Sequence, residues 1–283
     1  MITISTRPDL WQRLSAWRAA GDRVALVPTM GNLHDGHASL VRIAKRHADR
    51  VVVSVFVNPT QFGPGEDYAS YPRTLEDDAT RLQAENVDLL FAPEIATMYP
   101  LGLEQATHVS VPGLGDELCG AARPGHFDGV TSVVLRLFAL VQPDIAVFGQ
   151  KDYQQQLIIR RMVLDLGLSV QVELGPIIRE PSGLAMSSRN GNFSNTERSI
   201  AAALFEVLQV VAQELAAGNR KFAKLEAKAM RLLTEAGQSP EYVAIRQSAD
   251  LAMPDAGSQS LIVLAASRVA GVRLIDNILV KMP

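Results

Sequence analysis

The fold is decided at Pro28-Thr29-Met30-Gly31-Asn32-Leu33-His34-Asp35-Gly36-His37, which joins an apolar run to a segment with helical spacing. The run before it, residues 24–27, is typical of a buried strand because it is short, apolar and bounded by turn-forming residues. Gly31 and Gly36 let the backbone turn sharply and approach a ligand without a Cβ in the way. A helix that starts here presents free N–H groups and the positive end of its dipole, which suit phosphate. We therefore expect an anion site where this strand gives way to the helix.

Alternating strands and helices follow this stretch. Residues 51–57 are mostly β-branched and apolar, which is typical of a central strand covered on both faces. Strand, helix and strand form a βαβ unit, whose strands are parallel and whose crossover is right-handed. Further strands are predicted at residues 88–92, 107–111, 145–148 and 170–174. The alternation predicts an α/β fold with a doubly wound parallel sheet.

The character of the sequence changes after Pro176. A turn at Pro181-Ser182-Gly183 precedes two long helical segments and three short apolar segments. The predicted helices are residues 194–217 and 222–236, and the predicted strands lie near residues 242–246, 261–265 and 273–275. Helices followed by strands are typical of a small α+β domain. We therefore predict two domains, residues 1–176 and the smaller 177–283.

Composition and charge limit the class of partner. The chain has 283 residues, of which 47% are hydrophobic and 20% charged, as in soluble globular proteins. A net charge of −3 provides no general field for a nucleic-acid backbone, so no nucleic-acid partner is expected. The apolar runs are too short to span a bilayer, and the N-terminus lacks the layout of a signal peptide. The single cysteine, Cys119, permits neither an intrachain disulfide nor a cysteine-built metal site. We expect a cytoplasmic protein without membrane contact.

His34 and His37 admit three interpretations. They share one face of the helix start, where they could form half of a zinc site, pack as neutral structural groups, or bind phosphate. Zinc would need a third ligand, and the sequence offers none nearby. Histidine can donate hydrogen bonds or protons to charge that develops on phosphorus, so the glycine-rich context favours phosphate. The spacing is neither that of a P-loop nor that of a dinucleotide-binding glycine motif.

Other polar residues follow the ends of predicted strands. Lys151, in Gly149-Gln150-Lys151-Asp152, is placed at the same sheet edge as the histidines, which favours a phosphate cation over an ordinary solvated lysine. Met186-Ser187-Ser188-Arg189 lies in a loop that could close over a nucleotide with hydroxyl donors and a bidentate guanidinium. Gln61 and Gln155 each come just past a strand, and neutral amides suit a substrate with hydroxyls and a carboxylate. Two ordinary surface glutamines are the alternative.

Several motifs occur in an order shared with one enzyme family. They are residues 28–37, Phe56-Val57-Asn58-Pro59-Thr60-Gln61-Phe62, Tyr71-Pro72-Arg73-Thr74, Arg123-Pro124-Gly125-His126-Phe127, Gly149-Gln150-Lys151-Asp152-Tyr153-Gln154-Gln155 and Met186-Ser187-Ser188-Arg189-Asn190. In this order they closely resemble the bacterial pantothenate synthetases, within the HIGH-signature nucleotidyltransferase superfamily. The resemblance continues more weakly to Arg273-Leu274-Ile275-Asp276-Asn277. Two positions depart from the family pattern, since Gln150 and Cys119 each stand where a glutamate is common.

The resemblance implies a Rossmann-like first domain that binds ATP and pantoate, and a second domain that acts as a lid. The implied reaction is the ATP-dependent ligation of (R)-pantoate and β-alanine to pantothenate, through pantoyl adenylate, with release of AMP and diphosphate. Mg²⁺ would bridge the outer phosphates, and no protein residue is assigned to the metal. A homodimer is expected from the family alone.

The resemblance also implies roles for individual residues. His34, His37 and Lys151 would be catalytic. ATP contacts would come from Met30, Gly31, Asn32, Leu33, His34, Asp35, Gly36, His37, Gly149, Gln150, Lys151, Asp152, Ile178, Met186, Ser187, Ser188 and Arg189. Gln61 and Gln155 would hold pantoate, and Gln61 would also contact β-alanine.

Two other functions stay open at the level of sequence. A nucleotidyltransferase of the same superfamily would leave the nucleotide on its product, and so would release diphosphate but no AMP. A non-catalytic nucleotide-binding module is disfavoured, because many polar groups are predicted to converge on one sheet edge.

Overall fold

A parallel sheet of six strands organises the amino-terminal part of the protein, in a computed structural model that covers residues 1–283. The strands are β1 (Ile2–Ile4), β2 (Val24–Thr29), β3 (Arg50–Val55), β4 (Leu89–Phe91), β5 (Ile145–Gly149) and β6 (Gln171–Gly175). Their spatial order is β1-β4-β3-β2-β5-β6, and each neighbouring pair is parallel. The predicted α/β fold with a doubly wound parallel sheet is confirmed.

Helices connect the strands and cover the sheet. They are α1 (Arg7–Ala19), α2 (Asp35–His47), α3 (Leu75–Ala84), α4 (Ile95–Met98), α5 (Cys119–Ala122), α6 (His126–Val141) and α7 (Tyr153–Asp165). Residues 24–27 of β2 and 51–53 of β3 are at most 1% exposed, as expected for strands covered on both faces. Helix α2 lies so close to the sheet that a Cβ at Gly175 would be 2.2 Å from a Cδ atom of Leu40.

The order in which strands are added to the sheet reverses beside β2. From β2 the sheet extends through β3 and β4 on one side, and through β5 and β6 on the other. Doubly wound sheets bind ligands outside the carboxyl ends of their strands at such a switch point. Strand β2 runs directly into Met30 and the turn before α2, and β5 ends at Gly149. The fold therefore brings both segments to the switch point.

One predicted strand is wrong. Residues 107–111 form no strand, because side chains of α6 bind their backbone instead. The N–H of Val109 donates to Oγ of Ser132 at 2.9 Å, and Nη2 of Arg136 donates to the carbonyl of Thr107 at 2.7 Å. The sixth strand is the unpredicted β1, which pairs with β4. At three residues it is too short to show a periodicity.

The carboxy-terminal part forms a second sheet of three antiparallel strands in the order β7-β8-β9, with two helices. These elements are α8 (Asn195–Ala216), α9 (Phe222–Glu235), β7 (Ser239–Gln247), β8 (Ser260–Val269) and β9 (Val272–Lys281). The strands are longer than predicted. Strands β8 and β9 meet in a two-residue hairpin at Ala270 and Gly271, both at positive φ, and alanine there lacks the usual Asn-Gly signature.

Helix α8 is long and apolar enough, by length and composition alone, to cross a membrane. Its apolar face is part of the hydrophobic core of the second sheet and α9. Leu204, Leu208 and Leu215 on this face are at most 2% exposed. The hydropathy of α8 is therefore explained by packing within the carboxy-terminal part.

Contacts divide the chain into two units. The first contains Met1–Gly149 and Ile158–Pro176, and the second contains Gln150–Leu157 and Ile177–Pro283. The predicted domain boundary is a single cut after residue 176, whereas the segment Gln150–Leu157 groups with the second unit. The turn after β5 is therefore divided between the units directly after Gly149.

An ion pair holds the loop between β3 and α3 to the residues just before α6. The Glu66 carboxylate accepts from Nε and Nη2 of Arg123, both at 2.6 Å, and from the N–H of Gly63 at 3.1 Å. Burial by itself would raise the pKa of Glu66, but the hydrogen bonds and charge of Arg123 outweigh it and lower the pKa to about 2. The ion pair therefore stabilises the fold wherever Glu66 is ionised.

We expect Glu66→Gln to change how the free energy of unfolding depends on pH. The pKa of Glu66 lies below its ordinary value of 4.5. The ionised Glu66 side chain therefore contributes fully to the free energy of unfolding above pH 4.5, and this contribution is lost as the pH falls toward 2. Denaturant titrations between about pH 7 and about pH 3 should show a shallower loss of stability in the variant than in wild type. Glu104→Gln, at an exposed position, is the matched control and should follow wild type. Equal slopes for Glu66→Gln and wild type would contradict the assignment.

Candidate functional site

Two residues in the left-handed region shape the turn after β2, namely Gly31 at φ 85° and Asn32 at φ 49°. A Cβ at Gly31 would lie 2.9 Å from Oδ2 of Asp78, so a side chain is not accommodated there. The N–H groups of Asn32 and Leu33 donate to the two oxygens of the Asp78 carboxylate, at 3.0 and 2.7 Å. Asp78 is 2% exposed and thus fixes the turn that leads into α2.

His34 and His37 pack against each other at the start of α2, with ring centroids 4.1 Å apart. His34 is the N-cap, and its Nδ1 accepts from the N–H of Gly36 at 3.1 Å. Nδ1 of His37 accepts from the N–H of His34 at 3.3 Å. A neutral imidazole whose Nδ1 accepts carries its proton on Nε2, so we assign the Nε2–H tautomer to both rings. Two imidazole donors therefore stand at the positive end of a helix, which suits an anion.

The Gln61 side chain is oriented by its neighbours. It closes the 3₁₀ turn Pro59–Gln61 after β3 and is 9% exposed. Oη of Tyr99 donates to Oδ1 of Asn58 at 2.6 Å, and Nδ2 of Asn58 donates to Oε1 of Gln61 at 3.1 Å. Because Oε1 accepts, Nε2 is turned toward the sulfur of Met30, a weak acceptor at 3.1 Å. The amide therefore presents a donor on the Met30 side, where it can bind a carboxylate or hydroxyl oxygen.

Sequence reasoning missed three residues of the first unit that hold this arrangement, Asn58, Asp78 and Tyr99. All are buried, at no more than 3% exposure, and buried polar groups are costly unless they are hydrogen-bonded. Asn58 carried a signal, because it comes directly after a strand and three residues before Gln61. Asp78 and Tyr99 carried none, since they lie about 45 and 41 residues along the chain from the groups that they bind.

In the second unit, Asn277 of β9 holds the turn that carries Lys151. Its Nδ2 donates to the carbonyls of Gln150 and Lys151, at 2.9 and 3.0 Å. Its Oδ1 accepts from Nε2 of Gln150 at 3.2 Å. Gln150, at a position where the family resemblance favours glutamate, thus donates a hydrogen bond that an ionised carboxylate cannot donate.

Lys151 and Ser187 line one cleft of the second unit, together with Asp276. Asp276 is 3% exposed and accepts from Nη1 and Nη2 of Arg179 at 2.6 and 3.0 Å. Burial raises the pKa of the Asp276 carboxyl, against the lowering effect of Arg179. The cleft is therefore lined by the Lys151 ammonium and by a carboxyl group that is paired with Arg179.

The predicted loop at residues 186–190 is a hydrogen-bonded turn of the second unit. The N–H of Met186 donates to the carbonyl of Ile178 at 2.9 Å. Oγ of Ser187 accepts from the N–H of Arg189 at 3.3 Å. Asn190, which is 5% exposed, donates to the carbonyl of Ala185 at 3.1 Å and thereby closes the turn.

The predicted site residues are distributed over both units. The first unit contains Met30, Gly31, Asn32, Leu33, His34, Asp35, Gly36, His37, Gln61 and Gly149. The second contains Gln150, Lys151, Asp152, Gln155, Ile178, Met186, Ser187, Ser188 and Arg189. The two glutamines predicted to hold pantoate thus belong to different units. Asp35 forms an ion pair with Arg81 at 2.7 Å, and its side chain is 65% exposed.

No group of three or more His, Cys, Asp or Glu side chains in the chain could hold a metal ion. The residues present therefore do not form a protein cage for zinc at His34 and His37, or for magnesium.

A family model and two curated relatives all match this chain to the same enzyme family. The family model described as Pantoate-beta-alanine ligase matches residues 2–279. The pantothenate synthetase of Thioalkalivibrio sulfidiphilus is 54% identical over 283 residues, which cover 100% of this chain and 99% of the relative. The pantothenate synthetase of Methylococcus capsulatus is 50% identical over 282 residues, which cover 100% of this chain and 99% of the relative.

Two solved structures match this chain over almost its whole length. The pantothenate synthetase of Thermus thermophilus is 46% identical, with a TM-score of 0.88 and coverage of 98% of this chain and 99% of its own. The pantoate-beta-alanine ligase of Francisella tularensis, complexed with Beta-gamma ATP and Beta-alanine, is 33% identical, with a TM-score of 0.81 and coverage of 99% and 97%. This chain belongs to the pantoate–β-alanine ligase family.

Proposed function

We propose that this protein is an ATP-dependent ligase that condenses pantoate with β-alanine to pantothenate and releases AMP and diphosphate. The observation that carries the proposal is the pair of Nε2–H donors at the start of α2, beside the switch point of the sheet. The names of full-length relatives support the same reaction, and the Francisella tularensis ligase has been solved with Beta-gamma ATP and Beta-alanine.

The first step forms pantoyl adenylate. A carboxylate oxygen of pantoate attacks the α-phosphorus of ATP, and the bond to the bridging oxygen breaks so that diphosphate leaves. Negative charge builds on the phosphorus oxygens, where preorganised donors lower the barrier. We assign this role to Nε2–H of His34 and His37 and to the ammonium of Lys151.

The remaining nucleotide contacts follow from the motifs. Ser187, Ser188 and Arg189 would bind the outer phosphates with hydroxyl and guanidinium donors. Gly149, Asp152 and Ile178 would line the adenosine side. Further ATP contacts are assigned to Met30, Gly31, Asn32, Leu33, Asp35, Gly36, Gln150 and Met186.

Gln61 binds oxygen in this proposal, because its Nε2 is the donor end of a fixed amide. It would donate to a carboxylate or hydroxyl oxygen of pantoate, with Gln155 as the second amide. In the second step the amine of β-alanine attacks the acyl carbon, loses a proton, and displaces AMP. Through Nε2, Gln61 can meet β-alanine at the carboxylate but not at the ammonium, because Nε2 and the ammonium are both donors.

The proposal also includes Mg²⁺ bound to the outer phosphates, where it would offset their charge. A homodimer, which rests on the family resemblance, and a cytoplasmic location, which rests on the composition and apolar pattern, complete it. The chain's lone cysteine, Cys119, is consistent with a reducing compartment.

One assay tests the proposed function. Purified protein with ATP, Mg²⁺ and pantoate should release AMP only when β-alanine is added, because the amine is needed to displace AMP from the adenylate. Release of diphosphate without AMP in the complete mixture would identify a nucleotidyltransferase instead. Binding of ATP without turnover would identify a binding module.

We expect His37→Ala and Lys151→Ala each to lower turnover by about 10²–10³, the usual effect of losing a donor to developing charge. Circular dichroism should show that both variants fold. The matched controls are His47→Ala, in the exposed last turn of α2, and Lys224→Ala, exposed on α9. Near-wild-type turnover in either test variant would refute its role.

We expect Gln61→Ala to weaken pantoate binding by about tenfold, because a hydrogen bond to a charged oxygen is lost, and to leave ATP binding nearly unchanged. Titration calorimetry with each ligand alone measures both affinities. Gln83→Ala, at an exposed position on α3, is the control and should match wild type. Equal weakening of both ligands would show that Gln61 does not act on pantoate specifically.

A further inference from the structure

We propose that Arg123, His126 and Gly129, at and just before the start of α6, are positioning residues that hold the Gln61 backbone and so set where its amide donor stands. This inference rests on the proposed function, in which Gln61 binds pantoate. None of the three belongs to the nucleotide or acid contacts assigned above.

Two side chains bind the carbonyl oxygen of Gln61. Nη2 of Arg123 donates to it at 3.3 Å, and Nδ1 of His126 lies 2.8 Å away. A carbonyl only accepts, so Nδ1 of His126 carries a proton. Nη1 of Arg123 lies 2.9 Å from Nε2 of His126, and a guanidinium only donates, so Nε2 accepts. His126 is therefore neutral, with the tautomer opposite to that of His34 and His37.

Arg123 is itself held in place from the loop that follows Gln61. The Glu66 carboxylate binds its Nε and Nη2, both at 2.6 Å. The side chains of Arg123 and Glu66 are only 18% and 26% exposed. Such a bidentate pair fixes the plane of the guanidinium, and thereby the direction of the donors that reach Gln61 and His126.

Helix α6 also touches the turn directly, at Gly129. A Cβ there would lie 2.3 Å from the carbonyl oxygen of Thr60 and 2.7 Å from Cα of Gln61, well inside normal contact distance. The Gly129 carbonyl accepts from Nδ2 of Asn58 at 3.1 Å. The same nitrogen donates to Oε1 of Gln61. Helix α6 thus holds the Gln61 backbone directly and its side chain through Asn58.

Glycine at this place is unfavourable for the helix itself. In a helix interior it is less favourable than alanine by about 1 kcal/mol, so helix propensity alone would favour alanine at position 129. The close approach of the turn explains the glycine. Gly129→Ala therefore separates helix stability from the position of Gln61, since the alanine favours the helix but displaces Gln61.

The test uses steady-state kinetics of the full-length protein, with each substrate varied in turn. In Gly129→Ala we expect kcat/KM for pantoate to fall by about 10²-fold, because the turn must move by roughly 1 Å, while KM for ATP stays near wild type. Gly257→Ala is the matched control, since a Cβ there has no neighbour closer than 3.5 Å. The control should leave both substrates unaffected.

A second pair of variants keeps the test valid should Gly129→Ala fail to fold. His126→Asn places an amide N–H where Nδ1–H lies and should keep KM for pantoate near wild type, whereas His126→Ala should raise it about tenfold. Rescue by asparagine distinguishes a positioning hydrogen bond from general packing.

The outcomes separate this inference from the proposed function. If wild-type protein releases no AMP that depends on β-alanine, the proposed function is wrong, and the positioning role for pantoate falls with it. If wild type is active, kcat/KM for pantoate is unchanged in Gly129→Ala and KM for pantoate is unchanged in His126→Ala, the positioning role alone is overturned. Equal changes in KM for ATP and for pantoate would also overturn it.

Discussion

A buried parallel strand must be covered on both faces, and this constraint on β2 governs the first unit. Coverage requires crossover helices, and the crossovers bring the carboxyl ends of β2, β3 and β5 to one edge. The turn after β2 lies there, and the buried carboxylate of Asp78 fixes it through two backbone N–H groups. The helix that follows therefore begins at a defined place, with its histidines at its positive end.

Hydrogen-bond polarity decides what the site can bind. Each network contains a group that can only donate or only accept, so the orientation of the group beside it follows. Backbone N–H groups make Nδ1 of His34 and His37 acceptors and leave Nε2 as the donor. The Gly129 carbonyl and Asn58 likewise make Oε1 of Gln61 an acceptor and leave Nε2 as the donor. Imidazole and amide donors together suit ligands rich in anionic oxygen, such as a nucleotide and a hydroxy acid.

The second unit holds its polar residues by the same principle. Asn277 satisfies two carbonyls of the turn that carries Lys151, and Gln150 donates to the amide oxygen that remains. A buried amide is costly unless every polar atom has a partner, so the pair at 150 and 277 acts as one element. A departure from the family pattern at position 150 thus has a local physical explanation in this chain.

The sequence by itself determined the strand–helix alternation, the α/β class and the family, because periodicity and motif order are local properties of the chain. It also identified His34, His37, Lys151 and Gln61 as chemical candidates. It did not find β1, and it placed a strand at residues 107–111, because pairing partners and backbone-binding side chains are remote in sequence. Only the tertiary structure decided how the turn after β2, the Gln61 backbone and the Asn58 amide are held. Asp78, Arg123 and Tyr99 bind these groups from positions about 41 to 62 residues away along the chain, and a distance of that kind leaves no trace in local sequence.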